Sequence, residues 1–160
     1  MIRIALLLAY CLIVSAAPAS AGDYLYGVVK KVTDGDSLVA VVDGSDVEIR
    51  LYGIDAPEYG QSYGNSAKNY ATGLVRGKDV RILPFYKDSY GRIVALVEVD
   101  NFVLNEEMVK NGYAWVYQKY CSQGFCEDWE ALEKSAREHH RGLWHSAQPL
   151  APWVYKRTVK

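Results

Sequence analysis

Between Tyr24 and Ile54 the hydrophobic positions have the spacing of strands. Tyr24–Val32 and Leu38–Val42 are rich in β-branched and aromatic residues, and Val47, Ile49 and Leu51 alternate with Glu48, Arg50 and Tyr52. This period of two describes half-buried strands and points Arg50 away from the apolar face. Asp34-Gly35 and Asp43-Gly44 are tight-turn dipeptides at the two junctions. The period then lengthens. Ala67, Tyr70, Ala71, Leu74 and Val75 mark one face of a helix capped by Asn65 or Ser66 and ending before Gly77. Two further strands, Asp79–Phe85 and Arg92–Val99, flank the turn Tyr86-Lys87-Asp88-Ser89-Tyr90-Gly91.

Leu104 and Met108 mark a second short helix stopping at Gly112, and Trp129, Leu132, Ala136, His140 and Leu143 follow one face of a third. The order is three strands, a helix, two strands, then two helices. The expected class is therefore α+β, mainly β: a five-stranded OB-fold barrel with three α-helices, spanning residues 22–146. Residues 147–160 show no period and read as a tail packing through Trp153 and Tyr155.

Composition changes the picture at the ends of the chain. Half of the 160 residues are hydrophobic and 23% are charged, which excludes disorder and indicates one folded domain. Met1 to Ala21 carries one positive charge, an apolar run from Ile4 to Val14, Pro18, and small residues at Ala19 and Ala21. This is the pattern of a secretory signal peptide cleaved after Ala21, and its apolar run is short of the roughly 20 residues that span a bilayer. The mature protein is thus expected to be secreted or periplasmic, monomeric, and without stable membrane association. It keeps two of the three cysteines, Cys121 and Cys126, which in an oxidising compartment are most simply a disulfide. Adjacent His139 and His140 fall on different sides of the helix and read, with His145, as helix-end residues.

Charge counts against one class of partner. Eighteen basic residues face 19 acidic ones, a balance of −1 that becomes −2 when Arg3 leaves with the signal. A tight duplex binder usually carries a basic surplus. Any nucleic-acid chemistry must rest on a local site, with modest affinity and a shallow salt dependence.

Three clusters could supply that site: Asp34-Gly35-Asp36-Ser37, Arg50 to Glu58, and Asp88-Ser89-Tyr90-Gly91-Arg92. Each has a structural explanation as a turn or strand end. Together they provide what phosphodiester hydrolysis requires. Asp36 and Asp55 offer hard oxygen ligands of the kind Ca²⁺ prefers. Glu58 is placed to orient or deprotonate a water. Arg50 and Arg92 can answer the charge that grows on phosphoryl oxygens.

In this order, and with the helix between them, Asp34-Gly35-Asp36, Arg50-Leu51 with Ile54-Asp55-Ala56-Pro57-Glu58, and Asp88-Ser89-Tyr90-Gly91-Arg92 resemble the staphylococcal nuclease (thermonuclease) family. The resemblance runs from about Tyr24 to Trp144 and includes Asn105-Glu106 and Arg141-Gly142-Leu143-Trp144. It implies a Ca²⁺-dependent nuclease that cleaves DNA and RNA with little sequence preference, single-stranded or frayed regions preferred, leaving 3′-phosphates. One Ca²⁺ would be held by Asp36, Asp55 and the Ala56 carbonyl, with Asp34 behind them. Glu58 would be the general base, and Arg50 and Arg92 would bind the scissile phosphate. Ala56 stands where a Thr is common, and Ser89 where a basic residue often meets the terminal phosphate. Tyr90, Tyr117, Tyr120 and Lys87 are the substrate-binding candidates. A competing reading is a non-catalytic nucleic-acid- or protein-binding module on the same barrel.

Overall fold

The computed structural model describes residues 23–159, so Met1 to Ala21, expected to be a signal peptide, lies outside the described residues. Three strands open the fold: β1 (Leu25–Asp34), β2 (Ser37–Val42) and β3 (Ser45–Leu51). They form an antiparallel meander through the turns read from the sequence. After α1 (Gly64–Val75), β5 (Asp79–Lys87) pairs with β1, and β6 (Ile93–Val99) pairs with β5. A parallel pairing of β6 with β3 closes the ring of five strands, matching Ile49 with Ile93 and Arg50 with Val94. The architecture is α+β and mainly β, an OB-fold-like barrel. Closure leaves no long open edge.

Period-two burial fills the barrel with Val29, Leu38, Ile49, Leu51, Ile82 and Val97, and α1 plugs one opening with Ala67, Ala71 and Val75. The small alanines let the helix approach closely. The turn at Gly35 needs the same economy, because a Cβ there would lie 2.6 Å from the Ala56 Cβ and 2.8 Å from that of Ala67. Only glycine permits the β1–β2 turn to sit between the next segment and the helix.

Short elements absent from the sequence reading complete the fold. β4 (Ile54–Asp55) pairs antiparallel with β8 (Trp115–Val116), and β7 (Phe102–Val103) turns back to pair antiparallel with the end of β6 before α2 (Leu104–Lys110). Two-residue strands carry no readable period. Three expectations are corrected. Helix α1 begins at Gly64, after Tyr63 in a left-handed conformation and without a side-chain cap, so neither Asn65 nor Ser66 caps it. Helix α3 (Cys126–Glu138) ends before His140, whose φ of 52° breaks the helix, and Leu143 belongs to a separate turn of 3₁₀ helix, Gly142–His145. The tail holds a fourth helix, α4 (Pro152–Thr158), where three helices were expected. Proline at its first turn suits a helix start. Seven residues are too few to show amphipathic periodicity. Among the described residues, no helix is long and apolar enough to cross a membrane.

Asn105, on α2, is fully buried and joins two segments, β6 and the end of β3. Its carbonyl oxygen accepts from the Val97 amide at 3.1 Å, and its amide donates to the Tyr52 and Ala95 carbonyls at 3.0 and 3.1 Å. It satisfies backbone groups where the chain leaves β3 and along the middle of β6. Replacing it by alanine removes this partner from the Val97 amide and the Tyr52 carbonyl, whereas the Ala95 carbonyl still accepts from the Tyr52 amide at 2.8 Å. We expect Asn105→Ala to cost about 2–4 kcal/mol in urea unfolding, with one of the larger losses of any single polar substitution in the fold.

Candidate active site

The residues singled out in the sequence fall on four separate segments. Asp36 lies in the β1–β2 turn, Arg50 on β3, Asp55 on β4, and Glu58 just beyond it. Arg92 immediately precedes β6. Strand pairing brings these positions together, since Ser37 faces Arg50 across β2 and β3, and Arg50 faces Val94 across the barrel closure. Asp55 is held by its ladder partner Trp115.

Arg50 is the centre of the arrangement. Its Nη1 lies 2.5 Å from Asp36 Oδ1, and its Nη2 donates to Asp55 Oδ1 at 2.5 Å. Both carboxylates are buried, at 2% and 0% side-chain exposure, while Arg50 retains 17%. Asp36 is held further by the Ala56 amide, which donates to its Oδ2 at 2.6 Å, and by the Ser37 hydroxyl at 3.2 Å. Asp34 accepts from the Asp36 amide at 3.1 Å, within the same turn. Burial pushes the Asp36 carboxyl well above the ordinary carboxylate range, and the neighbouring Arg50 offsets only part of this. Burial works against the Arg50 charge, but Asp36 and Asp55 outweigh it and raise the guanidinium above its usual value.

Arg92 is set by a residue that the sequence reading left inside a turn motif. Asp88 accepts from the Arg92 Nε at 2.8 Å and from the amides of Arg92 and Tyr90 at 3.0 and 2.9 Å. Its Oδ2 is 2.7 Å from the Arg92 Nη2. An Asp four residues before an Arg across a Tyr-Gly turn is the signal that could have identified this pairing.

Gln61 is the second missed residue. It is buried, accepts from the Glu58 amide at 3.0 Å, and donates to the Leu150 carbonyl at 2.6 Å. The backbone that carries Glu58 is thereby tied to the C-terminal segment. Lys156, on α4, is the third. Its Nζ is 2.8 Å from Glu58 Oε1 and 3.1 Å from Asp55 Oδ1. Nothing in a tail without a period pointed to it.

An open cleft of about 400 Å³ runs past these groups, lined by Arg50, Arg92, Tyr90, Tyr117, Tyr120 and Lys156, among others. Tyr90 and Tyr120 are exposed. Tyr117 is half-buried because Trp153 of α4 stacks on it, with ring centroids 4.9 Å apart and planes 8° from parallel. Lys87 is exposed on β5 and is absent from the cleft lining, where its neighbours Tyr86 and Asp88 appear. Alternation along the strand sends it to the other side. Cys121 and Cys126 are disulfide-bonded and close the loop that follows Tyr120. The Ser122 amide in this loop donates to the Tyr52 hydroxyl at 2.9 Å.

Comparison with known proteins gives a consistent result. Residues 48–146 match the family model described as staphylococcal nuclease homologue. The chain is 38% identical over 133 residues to an uncharacterized endonuclease of Escherichia coli, covering 82% of this chain and 85% of the relative. It is 32% identical over 143 residues to a micrococcal nuclease of Shigella flexneri, covering 84% and 82%. A probable staphylococcal-like nuclease of Oryza sativa subsp. japonica is 38% identical over 109 residues, 68% of this chain and 28% of that longer protein.

Asp88 gives the site a measurable pH dependence. Burial opposes its ionisation, but the hydrogen bonds from Arg92 and Tyr90 outweigh burial and lower its pKa below the usual carboxylate value. A lowered folded-state pKa contributes stability above the unfolded value that is lost as pH falls through the folded one. We expect Asp88→Asn to be less stable than the unsubstituted protein near neutral pH. The difference should shrink as the pH drops through and below the ordinary carboxylate range, as read by urea unfolding at each pH.

Proposed function

Because the chain belongs to the staphylococcal nuclease homologue family, we propose that it is an exported, calcium-dependent nuclease that hydrolyses DNA and RNA with low sequence specificity. Family membership makes it a nuclease at the coarse level. The finer reading draws on the Arg50 fork: a guanidinium fixed between two buried carboxylates lines the same cleft as Arg92. This pairs an oxygen-donor set with two phosphate-binding cations. Export draws on the segment Met1 to Ala21.

The donor set suits calcium. Asp36 and Asp55 converge on one guanidinium, so a cation can be shared between them, and the Ala56 backbone lies against Asp36. Among the described residues, no group of three or more His, Cys, Asp or Glu side chains forms a metal cage. The protein would offer two carboxylates and the Ala56 carbonyl, leaving the remaining positions to water. Such a water-rich, oxygen-only set is typical of calcium and ill-suited to zinc. When bound, the ion supplies positive charge beside the phosphate and a supply of ordered water.

The chain's own groups do the rest. Glu58, one-third exposed, takes a proton from the water that attacks phosphorus. Arg50 and Arg92 bind the non-bridging oxygens and stabilise the charge that accumulates on them and on the departing 5′-oxygen. The P–O5′ bond breaks, leaving a 3′-phosphate on one product and a 5′-hydroxyl on the other. Tyr90 and Tyr120 present exposed rings for base stacking, worth about 1–3 kcal/mol per base in single-strand binders. Stacking favours single-stranded or frayed segments, whose bases are free.

The test is hydrolysis of single- and double-stranded DNA and of RNA by the mature chain, with Ca²⁺, Mg²⁺ or chelator. We expect cleavage with Ca²⁺, none with chelator, and about 10²–10⁴-fold lower kcat for Glu58→Gln and Arg92→Ala, both still folded by circular dichroism at the assay temperature. Oligonucleotide binding without cleavage in Ca²⁺ would replace this reading by that of a binding module. Full activity in both variants would refute the roles of Glu58 and Arg92.

A further inference from the structure

Helix α4 reaches the site through a set of specific anchors. Gln61 holds the Leu150 carbonyl, Pro152 is buried, and Trp153 packs flat on Tyr117 and edge-on to Trp115. One turn beyond Trp153, the Lys156 ammonium lies 2.8 Å from Glu58 Oε1 and 3.1 and 3.5 Å from the two oxygens of Asp55. This is unlike a surface ion pair, which joins two solvated side chains and contributes little. Asp55 has no exposed side-chain area, and Lys156 crosses 101 positions of sequence to reach it. Asp55 therefore already has two cations, Arg50 and Lys156. An ammonium and a divalent ion touching the same carboxylate repel each other strongly in a partly desolvated site.

We propose that Lys156 is the resident cation of this site, and that a divalent ion binds Asp55 by displacing its ammonium. The inference rests on the reading of Asp36 and Asp55 as metal ligands. Lys156 then has two consequences. In the metal-free protein it bridges Asp55 and Glu58 and compensates part of their charge. It also lowers metal affinity, because ion binding must first break two short ion pairs. Calcium occupancy would thus be set by a residue on the last helix, outside the segment that matches the family model.

The test is calorimetric titration of Ca²⁺ into the mature protein without nucleic acid, so that the readout is affinity and not turnover. Four proteins are compared: the unsubstituted chain, Lys156→Met, Lys156→Arg, and Lys134→Met. Lys134 is 78% exposed on α3 and controls for the loss of one positive charge. We expect Lys156→Met to bind Ca²⁺ about tenfold more tightly, the size of a typical coupling between interacting sites, and the other two to stay within about threefold of the unsubstituted chain. An affinity in Lys156→Met that is unchanged or weaker overturns the proposal. So does equal tightening in Lys134→Met, which would reflect bulk charge, or in Lys156→Arg, which would show that the cation is irrelevant. Absence of Ca²⁺ binding in all four would refute the metal reading itself, and this inference with it. Tight binding that Lys156→Met leaves unaltered would refute this inference alone.

Discussion

Two buried carboxylates can share the interior of this fold only because Arg50 stands between them. An ion withdrawn from water costs several kcal/mol even after relaxation, and the cost is offset only when a partner of good geometry meets it. Asp36 comes from the β1–β2 turn and Asp55 from β4, and the Arg50 fork meets both at 2.5 Å. Arg50 also lies on the strand that closes the barrel, opposite Ser37 on one side and Val94 on the other. Barrel closure and charge compensation are therefore a single constraint. A slip of β3 by one residue would turn Arg50 to the opposite face and leave both acids unpaired.

The same geometry explains how a chain with a formal charge of −1 carries cationic groups at the cleft. The acids are inside and the cations reach out. Asp36 and Asp55 show almost no side-chain surface, whereas Arg92 keeps 26% and Lys156 41%. Asp88 turns its carboxylate to the stem and flank of Arg92, fixing the guanidinium at the cleft. The overall balance says little about the field inside a concave site, where nearby fixed charges dominate.

The C-terminal segment belongs to the site, although it follows the barrel by many residues. Trp115 pairs with Asp55 through its backbone and touches Trp144 and Trp153 through its ring. A single residue thus couples the carboxylate's strand to the two C-terminal elements. Gln61 adds a second tie by clamping the Glu58 turn to Leu150. Perturbation of α4 is transmitted to Glu58 and Asp55 through both.

The residues proposed to carry the chemistry could be singled out in the sequence because each is confined to a compact motif. Asp36, Arg50, Asp55, Glu58 and Arg92 lie in three short clusters, and the strands around them have a period that alternation makes visible. Asn105 could be noted, although its three backbone partners could not. What the sequence left dark depends on long-range contact: the two-residue ladder beneath Asp55, the end of α3 at Glu138, and the short α4. Lys87, a substrate-binding candidate in the sequence, is exposed on β5 and does not line the cleft. Lys156 shows the limit most clearly. A lysine in an aperiodic tail has no local signal, and only the packing of Trp153 on Tyr117 and of Leu150 on Gln61 puts its ammonium beside Asp55. Local pattern determined which groups could do the chemistry. Tertiary packing decided which cation meets which carboxylate, because that depends on distances between segments 100 residues apart.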